Sequence, residues 1–391
     1  MTVSVDSDLA FLANVRQIAD EVAAANADAV DRDARFPREA VDAMRESKAM
    51  SAMIPTEFGG GGVSTPAIAR AAQLLGRRCG ASGMVFAMHQ IQIATIVRHL
   101  PADSWFESYL REVSRDQRLV ASATSEIGTG GDMGRSIAAI TPTESERLSF
   151  EKRAPTVSYG GHADDILTTV RRAPDAEERD QVMVLHAVSE TEMEPAGTWD
   201  TIGMRGTCSP GFTLRATFDP ERVLNVPFST MMSESIVPLS HILWSNVWLG
   251  AATEAFERGR SFVRAAARSK PGEPVPAAHQ LSSVMAELSM LRSEVEGALD
   301  DFLEQSDAPG RQPLSTLASV LRFNNLKLAA SEQAPRICMA VLEAIGIMAY
   351  KNDSPYGVGR QLRDTLSARL MVANERIHAT DASLLLIAKE V

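Results

Sequence analysis

The spacing of apolar residues divides the chain into three consecutive regions. From residue 6 to about 115 the spacing is helical, and segment 84–100 is apolar on nearly all of its faces, which predicts a helix buried between layers. Between 117 and 228 the apolar runs are short, and in 212–218 they alternate with Thr and Arg, the pattern of a half-buried strand. Farther on the helical spacing returns, and the apolar stripe of 281–303 predicts a long helix in an antiparallel bundle.

This order predicts a mainly α-helical protein with a β middle domain. We expect an N-terminal α-helical domain over 1–116, a β domain over 117–229 and a C-terminal helical bundle over 230–391. No helical pattern separates the strands, so an antiparallel, barrel-like sheet is expected in the middle domain rather than a doubly wound sheet. A chain of 391 residues is long enough for two or three packed domains.

Charge and cysteine content narrow the class of protein. The net charge of −11 argues against a nucleic-acid-binding protein, because such proteins carry a basic face. The three cysteines form neither a CxxC pair nor an even-numbered framework, so we expect a reducing, cytoplasmic setting. The first residues lack the features of a signal peptide, and no apolar run reaches the ~18 residues that span a bilayer. We therefore expect a soluble protein without membrane insertion.

The stretch "LVASATSEIGTGGD" (119–132) places three glycines within four positions. It has neither the Lys of a Walker A loop nor the spacing and strand–turn–helix context of a dinucleotide fingerprint. A surface hairpin would explain the glycines through tight turns. The preceding hydroxyls of Ser122, Thr124 and Ser125 favour a ligand instead, because hydroxyls and bare amides bind heteroaromatic edges and phosphates.

Five segments resemble, in order and spacing, the motifs of the acyl-CoA dehydrogenase family. They are "AMIPTEFGGGGVS", "SATSEIGTGGD", "TVSYGGHADDILTTVRR", "WDTIGMRGTCSPGFTLRATFDPERVL" and "VLEAIGIMAYKNDSPYGVGRQLRDTL". The resemblance implies an α-helical domain, a β-barrel-like middle domain and a four-helix bundle. It further implies an FAD enzyme, a homotetramer or homodimer, that oxidises an acyl-CoA or acyl-carrier thioester and passes electrons to an electron-transfer flavoprotein.

The resemblance also assigns cofactor contacts to the glycine loop and to "PTVSYGG". Thr124 and Ser125 would bond the isoalloxazine edge, with Ser122 and Gly130 beside them. Gly131 stands where the family often has Ser, which removes one contact to the pyrophosphate or coenzyme A. The other cofactor-binding positions implied are Ser158, at the family's Thr position, and Thr156, which replaces a Trp beside the ring.

Two later segments resemble the family's contacts to FAD across a subunit interface. Arg268 lies close to the Arg that pairs with the FAD pyrophosphate of a neighbouring subunit. "EAIGI" resembles a Gln-x-x-Gly-Gly turn, in which Glu343 replaces the Gln and Gly346 is retained. Glu343 cannot donate a hydrogen bond when ionised, and Ile347 replaces the second Gly. The FAD site implied by the resemblance is therefore recognisable but eroded.

The catalytic carboxylate of the family has no clear equivalent. Family members remove an α-proton with a Glu shortly after an Arg-Asp pair, which is Arg363–Asp364 here, while hydride leaves the β-carbon for the flavin. An ungapped comparison places Val372 at that position, and a less common position for the base reads Ser240. Neither residue is a carboxylate.

Three interpretations of the missing base follow. A local gap would bring Glu375 into the site, although a solvated surface acid is the simpler explanation of that residue. His241, or with less support His378, would act as a substitute base, since imidazole titrates near neutral pH, unless His241 is a hydrogen-bonded core residue. Alternatively, the chain is a flavin monooxygenase of the same fold, or a silent subunit of a hetero-oligomer. The leading hypothesis is FAD-dependent thioester dehydrogenation. The histidines show no HxxxH or HxH spacing, so the sequence does not indicate a metal site.

Overall fold

Helices, strands and helices follow one another along the chain in the computed structural model, which describes residues 5–307 and 313–387. Ser64 caps the fourth helix, because its hydroxyl accepts the amide of Ala67 at 3.3 Å. The fifth helix is buried over most of its length, as the apolar pattern predicts. The helices of the first region are α1 (Val5–Gln17), α2 (Ala24–Arg32), α3 (Arg38–Glu46), α4 (Thr65–Arg78), α5 (Gly80–Arg98) and α6 (Trp105–Asp116).

The middle region contains eight strands in two four-stranded sheets, with the orders β1-β4-β5-β8 and β2-β3-β7-β6. In β7 the side chains of Phe212, Leu214, Ala216 and Phe218 are buried and the intervening ones are not, which confirms the predicted alternation. The strands are β1 (Val120–Ala123), β2 (Thr141–Pro142), β3 (Leu148–Ala154), β4 (Asp165–Arg171), β5 (Gln181–Ala187), β6 (Thr191–Pro195), β7 (Phe212–Phe218) and β8 (Val223–Leu224).

The β middle domain agrees broadly with the expected antiparallel, barrel-like sheet and differs from it in detail. The strands described here form two separate sheets, and β1 pairs with β4 in parallel, Val120 opposite Asp165. The reason lies in the connection: after β1 the chain runs through the glycine loop and two strands of the other sheet before it enters β4. Such a long crossover lets β4 run in the same direction as β1.

The last region is a bundle of long helices, as expected. Helix α9 buries its predicted apolar stripe with one clear exception, Met285, whose side chain is 53% exposed. In the described part of the chain, none of the helices combines the length and the apolar content needed to cross a membrane. The helices are α7 (Phe228–Met231), α8 (Val237–Ser269), α9 (Pro276–Asp307), α10 (Leu317–Ile345), α11 (Ile347–Tyr350), α12 (Gly359–Leu366) and α13 (Asn374–Leu385).

Glycines let three helices of different regions approach closely. A Cβ at Gly76 of α4 would lie 2.7 Å from the carbonyl oxygen of Val247 in α8, and one at Gly83 of α5 would lie 2.6 Å from the amide nitrogen of Gly76. Gly250 of α8 likewise leaves no room for a side chain beside the carbonyl of Gln73. The backbones of α4, α5 and α8 are therefore in direct contact, which fixes α5 against the bundle.

We expect Gly76→Ala to lower the free energy of unfolding by about 1–3 kcal/mol, because the added methyl group must displace the backbone of α8. Gly297→Ala in α9 is the matched control: the nearest atom to its added methyl is Nη2 of Arg322 at 3.5 Å. That variant should be neutral or slightly stabilised, since Ala favours helix more than Gly. Urea unfolding of the three proteins measures the difference. Equal destabilisation by both substitutions would contradict the proposed close contact.

Candidate functional site

A cavity of about 720 Å³ opens where the three regions meet. This volume falls in the range of small-molecule sites, and the lining is mostly apolar with a few hydroxyl groups. The lining residues come from α5 (Met84, Met88), the glycine loop and its continuation (Ser125, Gly131, Met133), the turn after β3 (Thr156, Ser158), the loop before β7 (199–204, Thr207, Ser209) and the segment from α12 to α13 (Arg363, Leu366, Ser367, Leu370–Ala373, Arg376).

The buried carboxylate of Asp364 joins the three regions beside this cavity. Its Oδ1 accepts the backbone amide of Met204 at 2.7 Å, which ties the loop before β7 to α12. A Cβ at Gly80, the first residue of α5, would lie 2.6 Å from its Oδ2. Gly80 therefore has to lack a side chain for the carboxylate to fit, and one carboxyl group contacts all three regions.

The loop 199–204 lies directly against the backbone of α12. A Cβ at Gly203 would overlap the carbonyl of Arg363, so only glycine fits at this position. The same loop presents Trp199 to the cavity, and the indole nitrogen donates to the carbonyl oxygen of Met204 at 3.2 Å. The loop thus supplies an aromatic wall of the cavity. The resemblance implies a second aromatic residue, a Trp, at position 156, where this chain has Thr.

Burial raises the pKa of the Asp364 carboxyl to about 6, because the ionised form is desolvated, although the nearby guanidinium of Arg360 and the amide of Met204 oppose the shift. Arg360 is itself held by its hydrogen bond to the carbonyl oxygen of Arg78 at 2.9 Å. Asp364 is therefore a group whose ionisation costs stability near neutral pH.

A buried Lys–Glu pair holds the glycine loop in place through hydrogen bonds. The carboxylate of Glu126 accepts the amides of Ala138 at 2.7 Å and Ile137 at 3.1 Å, so it closes the loop that contains the glycines. Lys152 Nζ lies 3.7 Å from Glu126 and donates to the carbonyl oxygen of Thr169 at 2.7 Å. Burial lowers the pKa of Lys152 to about 8 against the attraction of Glu126. The loop is thus fixed by buried polar groups rather than by its own turns alone.

Four of the predicted cofactor-binding residues line the cavity together: Ser125, Gly131, Thr156 and Ser158. The Ser125 hydroxyl lies 3.5 Å from both the carbonyl oxygen and the hydroxyl of Thr156. The other three predicted residues of this region, Ser122, Thr124 and Gly130, are in β1 or the loop but are not among the lining residues. The Thr124 carbonyl is instead bound by the hydroxyl of Thr169 at 3.2 Å.

The structure does not bring Arg268, Glu343 and Gly346 to the cavity of this chain. Arg268 is exposed near the end of α8, and Glu343 is exposed on α10. Gly346 separates α10 from α11 with φ +61°. These residues were assigned to a contact between subunits, and that role stays a prediction.

Neither candidate base lines the cavity. Glu375 is exposed on the first turn of α13. His241 is buried within α8, where Nδ1 lies 2.9 Å from the carbonyl oxygen of Phe323, and burial lowers its pKa to about 3. This geometry agrees with a neutral, hydrogen-bonded core histidine. His378 is exposed and also outside the lining.

Val372, which the ungapped comparison places at the position of the base, does line the cavity. Its φ of +50° is rare for a β-branched residue and indicates local strain. The buried Lys327 of α10 holds this backbone, since its Nζ donates to the Val372 carbonyl at 2.7 Å and also to the side chain of Asn374. Burial lowers the pKa of Lys327 to about 8.

Sequence reasoning missed several residues of the cavity. The methionines Met84, Met88, Met133, Met204 and Met371 and the indole of Trp199 line it, as does the guanidinium of Arg376. Trp199 and Met204 lie in a segment that carries the family resemblance, and that was the available sequence signal. No local pattern indicates Arg376, because it meets the glycine loop across more than two hundred residues of chain.

Comparisons with known proteins agree with this architecture. Residues 6–115 match the family model described as acyl-CoA dehydrogenase, N-terminal domain. A probable acyl-CoA dehydrogenase, YngJ of Bacillus subtilis (strain 168), is 22% identical and covers 96% of each chain. A probable FMNH2-dependent monooxygenase, SfnC of Pseudomonas putida, is 26% identical over 86% of this chain and 85% of its own. The crystal structure of FMN-bound TdsC from Paenibacillus sp. A11-2 superposes with a TM-score of 0.79 at 18% identity, covering 97% of this chain and 96% of TdsC.

Residues 6–115 therefore match the N-terminal domain of the acyl-CoA dehydrogenases, and the chain resembles this family over nearly its full length as a divergent relative, which confirms the resemblance and the predicted fold class. This resemblance supports a flavin-dependent oxidoreductase.

The raised pKa of Asp364 predicts how stability depends on pH. The folded carboxyl has a pKa of about 6 against an ordinary value of 3.8, so the folded state binds this proton more readily than the unfolded state. Ionisation of Asp364 thus lowers stability above pH 6, and the loss disappears as the pH falls toward 4. We expect the free energy of unfolding of the wild type, minus that of Asp364→Asn, to rise by up to about 3 kcal/mol from pH 7 to pH 4.

Urea unfolding at pH 7, 6, 5 and 4 measures this difference. Asn is the appropriate substitution because its side-chain oxygen still accepts the Met204 amide. If the wild type and Asp364→Asn show parallel pH profiles, the carboxyl is not the desolvated group that the structure indicates.

Proposed function

We propose that this protein is a monooxygenase that uses reduced flavin and molecular oxygen to oxygenate a small apolar, ring-containing substrate. The observation that carries the proposal is the lack of a suitable carboxylate among the cavity-lining residues of the described chain. Monooxygenation was the alternative hypothesis of the sequence analysis, and we favour it here over thioester dehydrogenation.

Removal of an α-proton from a thioester requires a base held in an apolar pocket, where desolvation raises the pKa of a carboxyl toward neutral pH. Within the described part of the chain, Asp200 is the one acidic residue in the lining. Its side chain is 86% exposed and lies 3.2 Å from the guanidinium of Arg205. A solvated, ion-paired carboxylate does not meet the requirement, and the ungapped comparison places Val372 at the position of the base.

The residues of the cavity fit a flavin. Ser125, Thr156 and Ser158 present hydroxyls that can bond a heteroaromatic edge, and Gly131 has no Cβ to keep a ligand from the loop backbone. Trp199 offers an aromatic surface at the same cavity. Bound reduced flavin would supply the two electrons with which oxygen gives one atom to the substrate and the other to water. Electrons then come from a flavin reductase, and an electron-transfer flavoprotein is not needed.

The rest of the lining favours an apolar, polarisable substrate. The five methionines form an adaptable thioether surface, and sulfur contacts favourably with aromatic rings. Together with Trp199 they would bind a fused ring and keep water out of the cavity, which protects reactive species from side reactions.

Two relatives support this function over nearly the full length of the chain. SfnC is described as FMNH2-dependent, and TdsC was crystallised with FMN. The eroded turn at Glu343 and Ile347, which in the family would reach FAD, agrees with FMN as the cofactor instead of FAD. YngJ, by contrast, is described as a probable acyl-CoA dehydrogenase.

Oxygen-isotope labelling tests the reaction class. The purified protein is incubated under 18O2 with FMN, NADH, a separate flavin reductase and a panel of indoles and fused-ring thioethers. The masses of the products are then measured by mass spectrometry. We expect one 18O atom in a product that forms only when both proteins are present. Reactions without this protein and reactions in H2 18O under 16O2 are the controls. Labelled product at the same rate without this protein would contradict the proposal.

The position of Glu375 predicts that Glu375→Gln leaves the rate of this reaction within about twofold of wild type, because exposed substitutions outside a site perturb little. Its carboxylate is exposed and not part of the cavity. The rate of oxygenated product formation under saturating substrate measures the effect. A loss of tenfold or more, with unchanged thermal stability, would restore Glu375 as a catalytic base.

A further inference from the structure

The guanidinium of Arg376 fills the space of the side chain that the glycine loop lacks. Arg376 lies on the first turn of α13 and lines the cavity. A Cβ at Gly131 would lie 2.9 Å from both Cζ and Nη2 of Arg376 and 3.1 Å from Nη1. Since Gly131 also has φ +79°, a side chain at this position would be strained and would displace the guanidinium. The observed position of the Arg376 guanidinium therefore requires a glycine at position 131.

Arg376 also lacks a counter-ion among the described residues. Two arginines line the cavity, and the other one, Arg363, forms an ion pair with Asp31. Asp132, the acidic residue nearest along the glycine loop, accepts the amide of Gly134 at 2.9 Å and lies 3.7 Å from Arg179. The cavity thus has one arginine whose charge is not matched within the described chain.

The amide of Gly131 adds a donor at the cavity, and the amide of Gly130, which is outside the lining, precedes it directly in the loop. Gly130 and Gly131 have φ values of +63° and +79° and are exposed. Within the described residues, no backbone carbonyl accepts either amide. Successive amides in such turns form concave anion sites, and a guanidinium beside them can bind two oxygens of one phosphate.

We propose that Arg376 binds the phosphate on the ribityl chain of the flavin, and that it does so in the space left by the missing side chain of Gly131. This inference rests on the proposed function, which places a flavin in the cavity. Phosphate is the anionic group of FMN and part of the pyrophosphate of FAD, whereas riboflavin carries none. Asp200, the one carboxylate in the described lining, is paired with Arg205, so the charge of Arg376 is left for an anionic group of a ligand.

Binding of free flavins tests the inference without an activity assay. FMN, FAD and riboflavin are each titrated into the wild type, Arg376→Gln and Arg369→Gln, and binding is followed by quenching of flavin fluorescence. Arg369 is the matched control: it is exposed on the same segment, lies 3.9 Å from Glu332, and does not line the cavity. We expect Arg376→Gln to raise the Kd of the phosphorylated flavin by roughly 10- to 100-fold, with riboflavin unchanged and Arg369→Gln equal to wild type.

The coupling between the two positions gives a second measurement. Gly131→Ser should weaken FMN binding by displacing the guanidinium, while adding the same substitution to Arg376→Gln should cost much less, because no guanidinium is left to displace. Additive effects of the two substitutions would contradict the shared space.

Three outcomes are decisive. A larger loss for FMN or FAD than for riboflavin in Arg376→Gln supports the inference, and the preferred phosphorylated flavin identifies the source of the phosphate. Equal Kd values for the wild type and Arg376→Gln, or equal losses for all three flavins, overturn it and leave the flavin site standing. A wild type that binds none of the three flavins overturns the proposed function and this inference together.

Discussion

The cavity depends on one buried carboxylate. Asp364 accepts the Met204 amide and occupies the space that Gly80 leaves free, so it holds a loop of the β region, the start of α5 and helix α12 at one point. Such a group is costly to bury unless it is hydrogen-bonded, and breaking a buried polar contact costs more than making it gains. The arrangement of the three regions is therefore specified by a polar contact in an otherwise apolar interior.

The wall of the cavity that follows α12 is held in an unusual conformation. Val372 has a left-handed backbone, which costs on the order of 1–3 kcal/mol, and the buried Lys327 stabilises it through the Val372 carbonyl. By the ungapped comparison, this wall presents an apolar side chain at the position where the resemblance implies a carboxylate. The proposed function ascribes to this exchange a change of chemistry on one fold, from proton removal to oxygenation.

Much of the fold could be predicted from the sequence, because local periodicity reports which face of an element is buried. The buried helix α5 and the alternation in β7 follow from patterns within ten to twenty residues. The parallel pairing of β1 with β4 could not be predicted, since it depends on where a long crossover returns. Strand direction is decided by tertiary packing and not by local propensity.

The candidate site likewise contains residues that could be predicted from the sequence and residues that could not. The hydroxyls of the glycine loop and the family resemblance predict Ser125, Gly131, Thr156 and Ser158 as cofactor-binding residues; the structure brings them to one cavity, and their role stays a prediction. Trp199 carried no chemical pattern of its own, and the Gly131–Arg376 contact joins the middle region to the last helix. The pairing of Asp364 with Met204 is likewise a contact between distant segments. Contacts of this kind cannot be predicted from the spacing of residues along the chain, because nothing in the intervening sequence constrains them.

We propose that the cavity holds a flavin and that the described residues lining it include no base for thioester dehydrogenation. Anaerobic addition of acyl-CoA esters of increasing chain length to the FMN- or FAD-loaded protein, followed by the visible flavin absorbance, tests it most directly. The account predicts that the flavin band keeps its intensity with every ester, while dithionite bleaches it fully. Bleaching of the band by any acyl-CoA, with formation of the enoyl product, would contradict the account.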